Sequence, residues 1–297
     1  MTNMHHIAER MFNTPLMLDI TKAQAIANTF APRVLGSDVT INNLVQVADD
    51  APQMGVVSNK LSGAYERWQE SPLFVRDGVA IIEVEGSLAH KGRYIGKSSG
   101  VTSYEGIATQ VEAAHNDASV LGVVFEHDSF GGEVAGAFDL SESIFELSQE
   151  KPTMAILTDH ACSASYLLAS ACEAIVMPET GIVGSIGVVM MHVDYSKYLE
   201  QEGMAVSLLF DGSHKVDGNP YQALPDDVRS HLQEQLSMSR SIFAETVGRY
   251  RGSRMNASQA LATEAQTYHG DEALDLGLID SVARPGKAFE AFVNEVN

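Results

Sequence analysis

From residue 78 to about residue 200 the chain alternates short apolar segments with amphipathic ones, and this alternation restricts the fold most. Apolar runs at Val79–Gly86, Val120–Glu126 and Thr153–Leu157 have the length and β-branched content of buried strands. Helical periodicity follows at Tyr104–Asn116 and Val134–Leu147. Strands that alternate with helices form βαβ units, which build a mostly parallel sheet covered on both faces. The sequence therefore predicts an α/β fold.

The pattern outside this region predicts further elements and a separate N-terminal part. A strand is expected at Ala205–Phe210 and a long helix at Asp226–Arg249, which begins after a proline and stops before a glycine. The N-terminal part carries short helical patterns interrupted by prolines. We predict a small helical N-terminal arm over residues 1–75 and one α/β domain over residues 76–290.

Charge and composition exclude several classes of function. The 297 residues contain 19 Lys plus Arg against 39 Asp plus Glu, a formal net charge of −20 that repels nucleic acid. The sequence has no secretory signal pattern and no apolar run long enough for a membrane span. Cys162 and Cys172 fall in one predicted helix about 15 Å apart, which indicates reduced thiols of an intracellular protein. No metal-binding spacing is present.

The most informative junction is Asp159–Ser170, where a strand meets an apolar helix through small residues. Ser163 is expected at the N-terminus of that helix, where unpaired N–H groups favour developing negative charge. Ser163 is therefore a candidate nucleophile, with Ala164 supplying the next backbone N–H. Serine is also a preferred helix cap, so a purely structural role remains the alternative.

Two further loops carry compatible chemistry. Gly131 and Gly132 are expected in a strand-to-helix turn, where missing side chains let a carbonyl oxygen approach backbone N–H groups. Lys215 is expected in a polar loop after the strand Ala205–Phe210. A lysine acts as a general base for a serine when burial lowers its pKa towards neutrality, although most loop lysines are simply solvated.

Other nucleophile and base assignments are open from the residues alone. Ser165 is a rival nucleophile. A histidine base would be the conventional partner, and spacing does not exclude one. The histidines near predicted strand ends are His127, His160, His192, His214 and His269.

Five motifs in order resemble the signal peptide peptidase A family of serine proteases (S49), and above all its phage capsid-assembly branch. They are Asp128–Gly136, Ala161–Tyr166, Gly184–Val188, Gly212–Lys215 and Ala273–Asp280. The segment Asn13–Leu16 also looks like the phage branch. Phe130 stands where the family commonly has proline, and Ala164 and Ser165 replace its usual glycines.

The resemblance implies a ClpP/crotonase-like fold with repeated ββα-type units. It implies Ser163 as nucleophile and Lys215, 52 residues later, as general base. The oxyanion hole would use backbone N–H groups of Gly131 or Gly132 and of Ala164, without cofactor or metal.

The resemblance further implies a homo-oligomeric serine endopeptidase that cleaves scaffold, capsid or portal proteins inside an assembling prohead in the host cytoplasm. Three alternatives are kept. They are a bacterial cytoplasmic protease of the signal peptide peptidase type, a catalytically silent assembly or scaffolding protein, and an acyl-CoA enzyme of the crotonase type.

Overall fold

The computed structural model describes residues 12–19, 24, 73–91 and 100–297. Within them the strands are β1 (Leu16–Leu18), β2 (Phe74–Arg76), β3 (Val79–Ala89), β4 (Val101–Ser103), β5 (Gly122–Glu133), β6 (Thr153–Cys162), β7 (Ala174–Met177), β8 (Ile182–Gly184), β9 (Thr267–Tyr268) and β10 (Ser281–Val282). The helices are α1 (Tyr104–Asn116), α2 (Ala137–Ser148), α3 (Ala164–Ser170), α4 (Ser196–Gln201), α5 (Asp226–Arg251), α6 (Ala257–Ala262), α7 (Gly270–Asp275) and α8 (Pro285–Val296).

The described strands form one sheet, whose main path runs β10-β7-β6-β5-β3-β2. The pairs from β3 through β5, β6 and β7 to β10 are parallel, and β2 closes the edge antiparallel to β3. Off this path, β4 adds to β3, β8 to β6, β9 to β8, and β1 to the end of β5. The structure confirms the predicted α/β class with a mostly parallel sheet.

Both faces of the sheet are covered. One buried cluster joins the sheet to α1, α2, α3 and the second half of α5. On the other face, Ala288, Phe289 and Phe292 of α8 pack on Val124 and Ile156. These three helix residues have the i, i+1, i+4 spacing of one apolar face, which is why α8 lies flat on the sheet.

Two central strands are longer than their apolar runs predict. β5 extends to Glu133 and β6 to Cys162, so Gly131 and Gly132 lie in a strand rather than in a turn. Cys162 likewise lies in a strand and not in a helix. The extra residues are stabilised by pairing with distant segments, as when His160–Cys162 pairs with β8. Pairing of this kind leaves no local pattern in the sequence.

The prediction of a strand at Ala205–Phe210 is wrong. This segment has no strand partner among the described residues, and its apolar side chains are open to solvent, with Leu209 98% exposed. Its apolar content resembles a half-buried strand, but no element in the described part of the chain covers it. The long helix that follows is confirmed as α5.

The predicted N-terminal arm lies mostly outside the described residues, and so do nearly all of its helical patterns at Lys22–Phe30 and Leu61–Trp68. Of residues 1–75 the structure describes 12–19, 24 and 73–75, among which Leu16–Leu18 is a strand of the sheet and Phe74 begins another. The domain division at residue 75 stays a prediction. In the described part of the chain no helix is both long and apolar enough to cross a membrane, and no group of acidic, histidine or cysteine side chains could hold a metal ion.

A buried ion pair fixes the C-terminal region to the sheet. The Arg251 side chain is 0% exposed and donates to both carboxylate oxygens of Asp280, at 2.9 and 3.0 Å. Asp280 also accepts from the Ile175 N–H at 2.8 Å. Burial by itself raises the pKa of Asp280, but the hydrogen bonds and charge of Arg251, the Ile175 N–H and the charge of Arg254 together outweigh it and lower that pKa overall.

We expect Asp280→Ala to lower the free energy of unfolding by about 3–5 kcal/mol, because it leaves Arg251 buried without a counter-charge. Glu290→Ala is the matched control: it breaks the exposed Lys287–Glu290 pair and should cost less than about 1 kcal/mol. Because the folded pKa of Asp280 is depressed, its contribution is complete above about pH 4 and is lost as the pH falls through the folded value. Urea unfolding at pH 7 and at acid pH measures both effects.

Candidate active site

Ser163 occupies a strained single-residue turn between β6 and α3. Its backbone has φ 55° and ψ −118°, a region that non-glycine residues rarely adopt and that costs about 1–3 kcal/mol. The turn is held by hydrogen bonds from Ser163 N to Gly184 O at 2.8 Å and from Leu167 N to Ser163 O at 3.0 Å. The Ser163 side chain makes no capping bond. A simple helix-cap role therefore does not explain this serine.

The Ser163 hydroxyl lies in a narrow space. Its Oγ donates to the Gly187 carbonyl oxygen at 3.4 Å, and the residue is 1% exposed. Gly187 is close-packed as well, since a methyl group built on it would lie 2.6 Å from Ala265 Cβ. The motif Gly184–Val188 thus forms one wall beside the serine.

Of the two consecutive glycines of β5, Gly131 approaches the residue that follows the serine, whereas Gly132 approaches β3. Gly131 has φ +102°, and a methyl group on it would lie 3.0 Å from Ala164 N and 2.1 Å from Met17 O. A methyl group on Gly132 would lie 1.9 Å from Leu88 O. The structure thus brings together three of the predicted residues, Gly131, Ala164 and Ser163. Only glycines permit this approach of backbone to backbone.

Ser129 holds the glycine segment in place, a role that the sequence did not reveal. Its Oγ donates to Gly86 O at 2.6 Å and accepts from Gly131 N at 3.1 Å. These bonds fix the strand where the register of β5 against β3 and β6 shifts. The adjacent Phe130 packs on His160, with ring centroids 4.1 Å apart. Side-chain bonding and packing thus hold a strand segment in which Phe130 stands where the family commonly has proline.

Lys215 makes no hydrogen bond to Ser163. It is exposed, in a loop where its N–H donates to Gly212 O at 3.0 Å. The far end of this loop is anchored, because His192 Nε2 lies 3.1 Å from Asn219 O. The Ser-Lys dyad therefore stays a prediction.

The structure gives a histidine partner to Ser165 instead. His127 Nδ1 lies 2.9 Å from Ser165 Oγ, and both residues are 0% exposed. Burial lowers the pKa of His127 to about 3, so its imidazole is neutral at physiological pH and would hold a proton poorly. The hydroxyl of Ser165 is engaged with an imidazole that is a weak base, which argues against Ser165 as the nucleophile.

The other candidate histidines have partners of their own. His160 is paired with Asp128 at 2.9 Å, His214 with Asp217 at 2.9 Å, and His269 lies 3.0 Å from Gly181 O. None of these contacts reaches Ser163. Cys162, next to the serine, is free, and burial and then the charge of Asp19 raise the pKa of its thiol to about 12. It is therefore a poor nucleophile.

The geometry thus combines a strained serine, a neighbouring backbone N–H and a close glycine strand. A family model described as Peptidase family S49 matches residues 146–296, a segment that includes Ser163 and Lys215. The chain belongs to peptidase family S49. The mostly parallel α/β sheet fits the ClpP/crotonase-like fold that the sequence motifs imply.

Three relatives show which branches of this family the chain resembles. It is 35% identical to "Head-tail preconnector protein GP5" of Enterobacteria phage P21, over 99% of this chain and 58% of the relative. It is 38% identical to "Capsid assembly protease C" of Escherichia phage lambda, over 94% of this chain and 63% of the relative. A "Putative signal peptide peptidase SppA" of Enterococcus faecium is 24% identical over 72% of this chain and 62% of the relative. The chain thus spans about three fifths of the length of the two phage proteins.

The closeness of Gly131 to Ala164 N yields a direct test. We expect Gly131→Ala to slow hydrolysis about a hundredfold or more, because the methyl group would fill the space in front of the Ala164 N–H. Gly203→Ala is the control, since Gly203 also has positive φ, +68°, but nothing lies within 4 Å of an added methyl group. Peptide hydrolysis by folded variants measures this, and equal rates in both variants would remove Gly131 from the site.

Proposed function

We propose that this S49 chain is a serine endopeptidase that uses Ser163 as its nucleophile. The observation that carries the proposal is the strained Ser163 turn, with φ 55°, opposite Gly131 and next to the Ala164 N–H. Strain at a buried serine is retained where the backbone must aim the hydroxyl at one point. The family match and the protease name of the lambda relative support the same activity.

In the proposed mechanism, neutral Lys215 takes the proton of the Ser163 hydroxyl, and Ser163 Oγ forms a bond to the peptide carbonyl carbon. The carbonyl oxygen becomes an oxyanion, which accepts from Ala164 N–H and from the Gly131 N–H, released from Ser129. The lysine then gives its proton to the departing amine as the peptide C–N bond breaks. Water, deprotonated by the lysine, hydrolyses the acyl-enzyme and restores the serine.

The position of Lys215 leads us to propose a homo-oligomeric active form. A solvated ammonium has no lone pair with which to accept a proton, so the lysine must become buried to act as base. Exposed apolar side chains precede it, with Val206 45%, Leu209 98% and Phe210 53% exposed. Apolar surface of this kind is normally covered by a partner. A second copy that covers residues 204–210 would desolvate the loop that follows.

The substrates that we propose are scaffold, capsid or portal proteins, cleaved within an assembling phage head in the host cytoplasm. The support comes from the two phage relatives, one named as a capsid assembly protease and the other as a head-tail preconnector. The net charge of −20 makes nucleic acid an unsuitable partner. A signal-peptide-peptidase-like protease is the alternative that the Enterococcus relative suggests.

A catalytically silent assembly protein is the second candidate function. Ser163 is 1% exposed and Lys215 makes no hydrogen bond to it, which is the arrangement expected of an inactive site. Incubation of the full chain with a co-expressed scaffold or capsid protein, followed by mass spectrometry, separates the two. Fragments that form with the wild type and not with Ser163→Ala support the peptidase. Intact protein in both reactions supports the silent role.

A further inference from the structure

The segment from Phe12 to Asp19 lies between two walls of the candidate active site. On one side β1 pairs antiparallel with the end of β5, Leu18 opposite Gly131 and Met17 opposite Gly132. The Asp19 N–H continues this ladder by donating to Phe130 O at 3.0 Å.

The other side of the segment bonds to the chain that follows the Gly184–Val188 motif. Leu16 N donates to Val189 O at 2.8 Å, and Val189 N donates to Leu16 O at 2.9 Å. Asn13 N donates to Met191 O at 2.9 Å. The segment is therefore an inserted strand with main-chain hydrogen bonds on both edges.

This strand closes the space in front of the candidate nucleophile. The Met17 carbonyl oxygen and the Ala164 N–H both face the small space above Gly131, at 2.1 and 3.0 Å from the position of an added methyl group. The charge of Asp19 reaches the thiol of Cys162, the residue before Ser163. Ser163 itself is left 1% exposed. A substrate carbonyl cannot enter while residues 17–19 occupy this position.

The side chains of the strand fill the groove as those of a bound peptide would. Leu16 and Leu18, 1% and 6% exposed, point to one side and pack with Phe130, Val189 and Met191. Met17, 0% exposed, points the other way into the main core. Main-chain pairing with alternating side-chain pockets is how sheet edges bind extended peptides.

We propose that residues 12–19 are an intramolecular inhibitor that occupies the substrate groove of this chain, and that the groove binds an extended peptide with apolar side chains at alternate positions. The inference rests on the proposed function in that it takes Ser163 to be the group that acts on such a peptide. Substrate enters only when the segment leaves.

Tethering makes the segment a strong competitor. A segment on the same chain is present at an effective concentration of about millimolar, so a free peptide with the same contacts binds the wild type only weakly. Substitutions that weaken the binding of residues 12–19 to the groove, and leave the groove itself unchanged, should therefore open the site. Leu16→Asp with Leu18→Asp achieves this, because two carboxylates are costly to bury between Phe130 and Val189 but are hydrated once the strand leaves.

The first measurement is the binding of a fluorescent peptide that has the sequence of residues 12–19. The full chain used for this measurement carries Ser163→Ala, so that residue 163 cannot be acylated. We expect the double Asp variant to bind it about tenfold more tightly, or better, than the chain with the native segment. Leu121→Asp, at a site 43% exposed, is the matched control and should leave binding unchanged. If the double Asp variant fails to fold by thermal unfolding, Leu16→Ala with Leu18→Ala replaces it, with the same expected direction.

The second measurement is the labelling rate of Ser163 by a phosphonylating probe in chains that retain this serine. Faster labelling in the double variant than in the wild type, together with tighter peptide binding, supports the inference. Equal peptide binding and equal labelling in both chains overturn it and make β1 a fixed strand of the fold. Tighter binding without any labelling keeps the inhibitory segment but removes Ser163 as nucleophile, so the two proposals fail separately.

Discussion

We expect Ser163→Ala to lower peptide hydrolysis by at least about a thousandfold, the largest effect of any single substitution in this chain. The alanine retains the small side chain but has no oxygen with which to attack a carbonyl, and nucleophile removal elsewhere has effects of this size or larger. The positive φ at residue 163 is strained for serine and for alanine alike, so the free energy of unfolding should change little. The measurement is the rate of peptide release, with urea unfolding as the check on folding.

Ser165→Ala is the matched control for this prediction. It removes a hydroxyl two residues away that is hydrogen-bonded to the buried His127. We expect its rate to stay within a few-fold of wild type, with a stability loss of about 1–3 kcal/mol from the buried imidazole nitrogen left without a partner. A large rate loss in Ser165→Ala with full activity in Ser163→Ala would contradict the assignment and exchange the two roles.

The second large effect is expected for Lys215. Lys215→Ala should lower hydrolysis by about a hundredfold or more, because an unassisted serine hydroxyl is a weak nucleophile. Lys215→Arg should not restore the rate, since a guanidinium does not give up its proton in this pH range. In the wild type a base that must first lose a proton makes the rate rise between about pH 6 and pH 9. A flat profile over this range would count against a lysine base.

Lys197→Ala is the control for loss of charge, since Lys197 lies on α4, outside the motif Gly212–Lys215. Mixing the inactive Ser163→Ala and Lys215→Ala chains tests how an oligomer would complete the site. Activity restored by mixing places the two groups on different copies of the chain. If mixing restores nothing while each single variant is inactive, the loop of one chain must itself move to the serine.

The local sequence pattern was sufficient to predict those elements whose ends are marked by residues close to them in the sequence. The helix α5 was predicted to within two residues, because a proline, an acidic first turn, a basic last turn and a glycine mark its ends. The ends of β5 and β6 were missed, because the residues beyond Glu126 and Leu157 are held by pairing with β1 and β8. An apolar run marks where a strand is buried, and it does not mark where pairing stops.

The same distinction applies to the candidate site. The residue types made Ser163, Gly131, Gly132 and Ala164 candidates, since small residues permit two backbones to approach closely. They did not reveal the hydroxyl of Ser129, whose two hydrogen bonds hold the glycine strand. A serine two residues before a glycine has no pattern that distinguishes this role from an ordinary polar position in a loop.

By itself the sequence determined the α/β class and the family and made Ser163 the candidate nucleophile, because periodicity and small-residue motifs are local properties of a chain. Only the tertiary structure decided which segment lies beside that serine. Leu16–Leu18 enters the groove through hydrogen bonds to residues more than a hundred positions away, while Lys215 stays exposed. Contacts over such separations depend on how the whole sheet assembles. The sequence of a short apolar segment does not indicate which strand edge it will pair with.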